Sequence, residues 1–257
     1  MPASLPRARG VPLEICVDDA EGLSAALSGG ADQIELCAAL ALGGLTPSAG
    51  LVAQAVRLGR AAGVPIFAMI RPRPGDFCYD AADLEVAHGD LAAARAAGVD
   101  GVVLGVTQAD GRLDGAAIAA LRDTAGGLPM VLHRAFDLAP EPFEALEQAI
   151  DLGFCRILTS GGAATAVQGA DRLAALVAQS RGRIQIMPGG GLEVAGMARL
   201  IATGADVLHG SARQTRPEAQ AMGNLRIAAA RPRTCRDTVA ALRAEIDRVI
   251  AAQGDIA

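Results

Sequence analysis

The chain has 257 residues, of which 51% are hydrophobic, enough to build one large globular core. Its net charge of −5 and its 2% aromatic content, with no Trp, exclude broad stacking on nucleic acid and attraction to phosphate backbones or acidic membranes. All 23 basic residues are Arg, so a Lys Schiff base and a Lys phosphate clamp are excluded as well.

Residues 1–12 are rich in Pro and Arg and read as an N-terminal arm. Eight short apolar runs then follow, at 13–17, 33–37, 65–71, 101–105, 129–133, 156–160, 184–187 and 206–209. An Ala/Leu-rich amphipathic stretch trails each of them. Gly29, Gly63, Gly98, Gly153 and Gly204 stand where several of these stretches should stop. Strand followed by helix, eight times over, predicts an α/β fold, a (β/α)8 TIM barrel forming a single domain over 1–257. The loop at 72–80, after the third strand, is the longest βα connection. Residues 214–257 are expected to hold an irregular segment and a C-terminal helix over about 237–252.

No run reaches the ~18 apolar residues of a membrane span. The opening MPASLPRARGVPLEICV lacks the continuous apolar stretch of a secretory signal, so a cytoplasmic protein is expected. Five cysteines (16, 37, 78, 155 and 235), an odd number, argue against a disulfide framework.

Alternate residues of a barrel strand face the helices or the lumen. Leu13, Ile15 and Val17 share one parity, Glu14 and Cys16 the other. The same reading sends Glu35, Cys37, Met69, Arg71, His133, Gln185, Met187 and His209 inward. The lumen is therefore expected to be polar and sulfur-rich. Barrel chemistry sits where strands end. Glu14, Glu35, His133 and His209 are accordingly candidate catalytic acids, bases or orienting groups. Glu14 and Glu35 should be held by ion pairs, with Arg71 a named partner, because a buried carboxylate needs one.

The motifs LEICVDDAEGLSAALSGGADQIELCAALALGGLTPSAG, IRPRPGDFCY, LHRAFD, ILTSGG, IMPGGG and LHGSAR run in order across all eight units. Over residues 12–213 the chain resembles the CutC copper homeostasis family. It departs from the family at Pro74, at Cys78 and in the tail after 213. The resemblance implies a cytosolic (β/α)8 barrel, often a homodimer, with a role in copper tolerance.

Three functional readings follow. In the first, Cys16 and Cys37, on adjacent inward-facing strand ends, share a Cu(I) ion, and Met69, Met187 and His133 are available as further ligands. The family's proposed copper cysteines match these two positions. Cys155 and Cys235 read as structural. In the second, the mouth binds a small anionic metabolite for lyase or isomerase chemistry without a Schiff base. Ser160, Gly161, Gly189, Gly190, Gly191, Gly210 and Ser211 would offer loop donors, and Arg71, Arg73, Arg134 and Arg213 bidentate grips. Asp137 is expected to fix Arg134 by a salt bridge. In the third, the barrel is a non-catalytic scaffold whose mouth is filled by side chains.

Overall fold

The computed structural model describes residues 10–217 and 230–254. The barrel strands are β1 (Leu13–Val17), β2 (Gln33–Leu36), β3 (Ile66–Met69), β4 (Gly101–Leu104), β5 (Met130–Leu132), β6 (Arg156–Thr159), β7 (Gln185–Pro188) and β8 (Leu208–Gly210). They pair in parallel in the order β7-β6-β5-β4-β3-β2-β1-β8. A parallel bridge between Gly189 and His209 brings the two ends of the sheet together. The helices are α1 (Ala20–Gly29), α2 (Ala49–Ala62), α3 (Ala81–Ala97), α4 (Gly115–Ala125), α5 (Pro142–Asp151), α6 (Ala170–Ser180), α7 (Met197–Ile201) and α8 (Arg236–Gly254). The (β/α)8 architecture read from the sequence is thus the observed one.

Local chemistry starts and stops these helices. The side chains of Asp19, Ser48, Asp80 and Asp114 accept from backbone N–H groups in the first turns of α1 to α4. Each such cap contributes about 1 kcal/mol. Gly63, Gly98 and Gly126 close α2, α3 and α4 in the left-handed region that a residue with a Cβ adopts at a cost. The stop of α1 is Gly30, one residue beyond the expected Gly29.

A second device recurs at the N-terminal face. Asp32, Asp100 and Asp206 each follow a Gly-Ala or Gly-Val pair just before a strand. Their carboxylates accept from Leu13 N at 2.8 Å, Ile66 N at 2.8 Å and Ile186 N at 3.0 Å, each on the preceding strand. Three strand starts that would otherwise present bare N–H groups are satisfied in this way.

The core has two layers, as strand parity requires. Ile15, Ile34, Ile66, Val102, Leu132, Ile157 and Ile186 pack outward against the helices. Cys37, Phe67, Met69, Val103, Val131, Leu158, Met187 and Val207 fill the lumen. Gly101 shows how tight that filling is. A Cβ there would lie 2.3 Å from Cε1 of Phe67, so the ring occupies the place a larger residue would take.

The segment after β8 differs from expectation. Residues 213–217 and 230–234 were expected to be irregular, but they form an antiparallel pair, β9 (Arg213–Pro217) and β10 (Ala230–Thr234). The pair is held to α1 and its N-cap by Arg231 on Asp19 at 2.8 Å and Arg233 on Glu21 at 2.5 Å. Thr/Arg-rich runs with an intervening stretch carry little hydrophobic alternation, which hides such a pair in the sequence. Residues 1–9 of the expected arm and 218–229 of the expected irregular segment lie outside the described residues.

Candidate functional site at the barrel mouth

The C-terminal end of the barrel opens into a cavity of about 700 Å³. The mouth is therefore not filled by side chains, as a purely structural barrel would have required. Cys16, Glu35 and His209 lie at its floor, on β1, β2 and β8. All three are buried, and their ligand atoms (Sγ, a carboxylate oxygen and a ring nitrogen) lie within 4.8 Å of one another.

His209 is held from behind. Its Nδ1 lies 2.7 Å from Glu14 Oε1, and its Nε2 is 3.9 Å from Glu35 Oε2. With Glu14 ionised, Nδ1 carries the proton and Nε2 faces the group at the floor. Glu14 also hydrogen-bonds Gln33 and sits 3.5 Å from Arg156 Nη1. Arg156, which is 2% exposed, further donates to Gln185 at 2.9 Å and to Gln33 at 3.2 Å. This corrects the expectation that Arg71 balances the buried carboxylates, since Arg156 does so instead. Arg71 starts too high in the barrel to reach Glu14. Arg156 is the functional-site residue missed in the sequence, although a lone Arg opening the apolar run RILT was its signal.

These contacts set the protonation states. Burial pushes the Glu14 carboxyl up, but the hydrogen bond and charge of His209, with Arg156 and Gln33, outweigh it and leave it below the usual range. Burial pushes Glu35 up to about 7, with His209 opposing and Glu14 adding. Burial would depress His209, but Cys16, Glu35 and Glu14 raise it well above an ordinary imidazole.

Cys37 takes a different place from the one expected. The register pairs Cys16 with Glu35, and Glu14 with Gln33. Cys37 therefore stands a full inward-facing step above Cys16 rather than beside it, because adjacent strands of a barrel are staggered. Its side chain is fully buried beneath Gly44, outside the close group, and its Sγ lies 3.5 Å from Glu35 Oε2. Burial, and next the Glu35 charge, push its thiol well up. Met187 is also withdrawn, packed in the lumen with its sulfur 3.9 Å from Arg156.

A second cluster forms the side wall. His133 Nδ1 accepts from Ala135 N at 3.2 Å, which leaves the ring proton on Nε2. Burial, then the Arg71 charge, lower His133 to about 3, so the ring is neutral across physiological pH. With Nδ1 accepting from Ala135 N and Nε2 carrying the proton, neither ring nitrogen has a lone pair free for a metal, which removes His133 from the expected ligands. Phe77, from the loop after β3, stacks with its ring centroid 4.6 Å from that of His133, and Arg71 Cζ lies 4.9 Å from the same Phe77 centroid. The Arg71 guanidinium donates to the carbonyls of Leu42, Gly44 and Gly75 at 2.7–2.9 Å. Gly105 makes room for the imidazole, because a Cβ there would come within 2.7 Å of the ring.

The expected anion donors divide. Asp137 anchors Arg134 at 2.8 Å, as expected, but it also accepts from the backbone of Ser160 and Gly162 and from Thr159 Oγ1. The loop after β6 thus already holds a carboxylate of this chain. Gly161 N is taken by Thr159 Oγ1 and Gly189 N by Thr159 O. Ser160, Gly161 and Gly189 therefore have no free donors for a ligand. Arg73 is also committed, to Asp76 and Asp83, and does not line the cavity. Gly190, Gly191, Gly210, Ser211, Arg134 and Arg213 do line it.

Fold and site together define a parallel (β/α)8 barrel with a thiol, an imidazole and a carboxylate gathered at its C-terminal mouth. The chain belongs to the CutC family, whose model matches residues 11–214. It is 48% identical over 243 residues to a CutC family protein of Caulobacter vibrioides (strain NA1000 / CB15N), covering 94% of this chain and 98% of that relative. It is 58% identical over 180 residues to one from Sinorhizobium medicae (strain WSM419), covering 70% and 72% of the two chains. A crystal structure described as a candidate copper homeostasis protein CutC from Streptococcus agalactiae superposes with a TM-score of 0.76 at 32% identity, over 78% of this chain and 98% of that one. The thiamine phosphate pyrophosphorylase of Pyrococcus furiosus, 17% identical with a TM-score of 0.60, shares the fold alone.

Proposed function

We propose that this protein serves copper homeostasis by binding Cu(I) at the barrel mouth. The observation that carries this reading is the buried group of Cys16, Glu35 and His209, with its ligand atoms within 4.8 Å of one another at the floor of an open cavity. Thiolate sulfur and imidazole nitrogen suit a soft cation. Glu14 behind His209 supplies the carboxylate–histidine arrangement that orients a ligating ring. Met69, which also lines the cavity, offers a thioether. Cys37 is the second thiolate in this proposal. Its proton points at Glu35, which can receive it as the metal arrives. All five cysteines are free, which suits a reducing compartment such as the cytoplasm.

The test is anaerobic titration against a competing Cu(I) chelator. One equivalent should bind, and Cys16→Ser and His209→Gln should each weaken binding by about 10-fold or more. Affinity should rise with pH, because His209 and Cys37 must both lose protons whose pKa values are raised. Unchanged affinity in both variants would overturn the proposal.

A further inference from the structure

We propose that the same mouth is also a binding site for a small carbonyl compound with an anionic tail, its carbonyl oxygen held by His133 Nε2–H and Arg71 Nε–H.

Two observations carry this. First, His133 Nε2 and Arg71 Nε are both buried and have no hydrogen-bond partner among the described residues. Both residues line the cavity and are locked in place by neighbours that do not use these atoms. Ala135 N fixes the imidazole, three carbonyls fix the guanidinium, and Phe77 stacks on both. Buried donors are ordinarily paired. Two unpaired donors, on rigid side chains of residues that line one cavity, mark a place for an oxygen acceptor. A carboxylate side chain does not fill it, because Glu14 belongs to His209 and Arg156, and Asp137 to the loop after β6.

Second, the rim supplies a place for negative charge. The N–H of Gly191 has no partner among the described residues. Its φ of 73° is one that glycine adopts freely, so the backbone turns at the rim without a side chain. Ser211 and Arg213 stand at the same rim. The cavity lining holds Arg71, Arg134 and Arg213 against two carboxylates, Glu35 and Glu193. Met69 and Leu158 give an apolar wall for the carbon chain between head and tail. The ligand class is thus a short ketone or aldehyde ending in phosphate or carboxylate.

The residues that carry this inference are not the copper donors, so the two can fail separately. The test uses chelator-treated protein and three probes: hydroxyacetone phosphate, n-propyl phosphate and inorganic phosphate. The two esters differ only in the carbonyl oxygen. Calorimetry should show the ketone bound about 10-fold or more tightly than the propyl ester, because a site built around unpaired donors rejects a ligand that lacks the acceptor. The infrared stretch of ¹³C-labelled carbonyl should move to lower frequency on binding. In His133→Phe, which keeps a ring for Phe77, the preference for the ketone should fall toward parity. Equal binding of the two esters by the unaltered protein, an unshifted carbonyl stretch, or no binding of either ester at millimolar concentration would each overturn the inference. The first two outcomes need no variant, so a misfolded substitution cannot decide the matter.

Discussion

His133 links the chemistry of one residue to the stability of the whole chain. Its folded-state pKa is depressed to about 3, from the ordinary 6.5, by burial and by Arg71. In the unfolded chain the ring takes up a proton near pH 6.5, whereas in the folded chain it does so only near pH 3. The stability this neutral ring provides is therefore complete above pH 6.5 and is lost as pH falls toward 3, by up to ~1.4 kcal/mol per unit. Urea denaturation of the unaltered protein and of His133→Gln, followed between pH 7 and pH 4, should show the steeper decline in the unaltered protein. Parallel curves would contradict it. Arg156 gives a second prediction at this scale. Replacing it with Met strips Glu14 of one of its two positive partners in the middle of the barrel, leaving only His209, and should cost about 3 kcal/mol, read from chemical denaturation. Side-chain direction was legible in the sequence wherever a strand alternated cleanly, so Glu14, Cys16, Glu35, Arg71, His133 and His209 could be sent inward. The partners of those groups were not legible. That Arg156 rather than Arg71 answers Glu14 depends on height along the barrel axis, and the stacking of Phe77 between Arg71 and His133 depends on how residues 72–80 fold back.

At the scale of elements, the strands were legible to within two residues at each end, because each apolar run ends in a residue with different chemistry. Their stagger was not. Parity says which face a residue takes, whereas register is set by the closure of all eight strands. This is why Cys16 opposes Glu35 rather than Cys37. Tight packing between neighbouring strands is open to measurement. Gly101→Ala places a Cβ 2.3 Å from the ring of Phe67, which is walled in by the lumen. It should destabilise by about 1–3 kcal/mol, and thermal melts would show it. Asp100→Ala leaves Ile66 N without its acceptor at the buried foot of β3 and should cost about 1–3 kcal/mol while leaving metal binding at the mouth intact. A loss of metal binding in the folded Asp100→Ala protein would contradict the separation of the two ends.

At the scale of the molecule, the barrel keeps its roles at opposite faces. The N-terminal face is tied by Asp32, Asp100 and Asp206, each bound to the start of the preceding strand. The C-terminal face carries thiol, imidazole, guanidinium and glycine loops around one cavity. Glu14 stands between them, bound above to His209 and below to Arg156 and Gln33, so the stability of the lower barrel positions the imidazole of the upper one. Which donors would reach one ion depends on where the strands end in space, and that is most directly read with the ion present. Crystals grown anaerobically with one equivalent of Cu(I), measured at the copper absorption edge, should show a single anomalous peak bonded to Cys16 Sγ, Cys37 Sγ and His209 Nε2. A peak on Cys78 or elsewhere on the surface, with the mouth empty, would contradict the account.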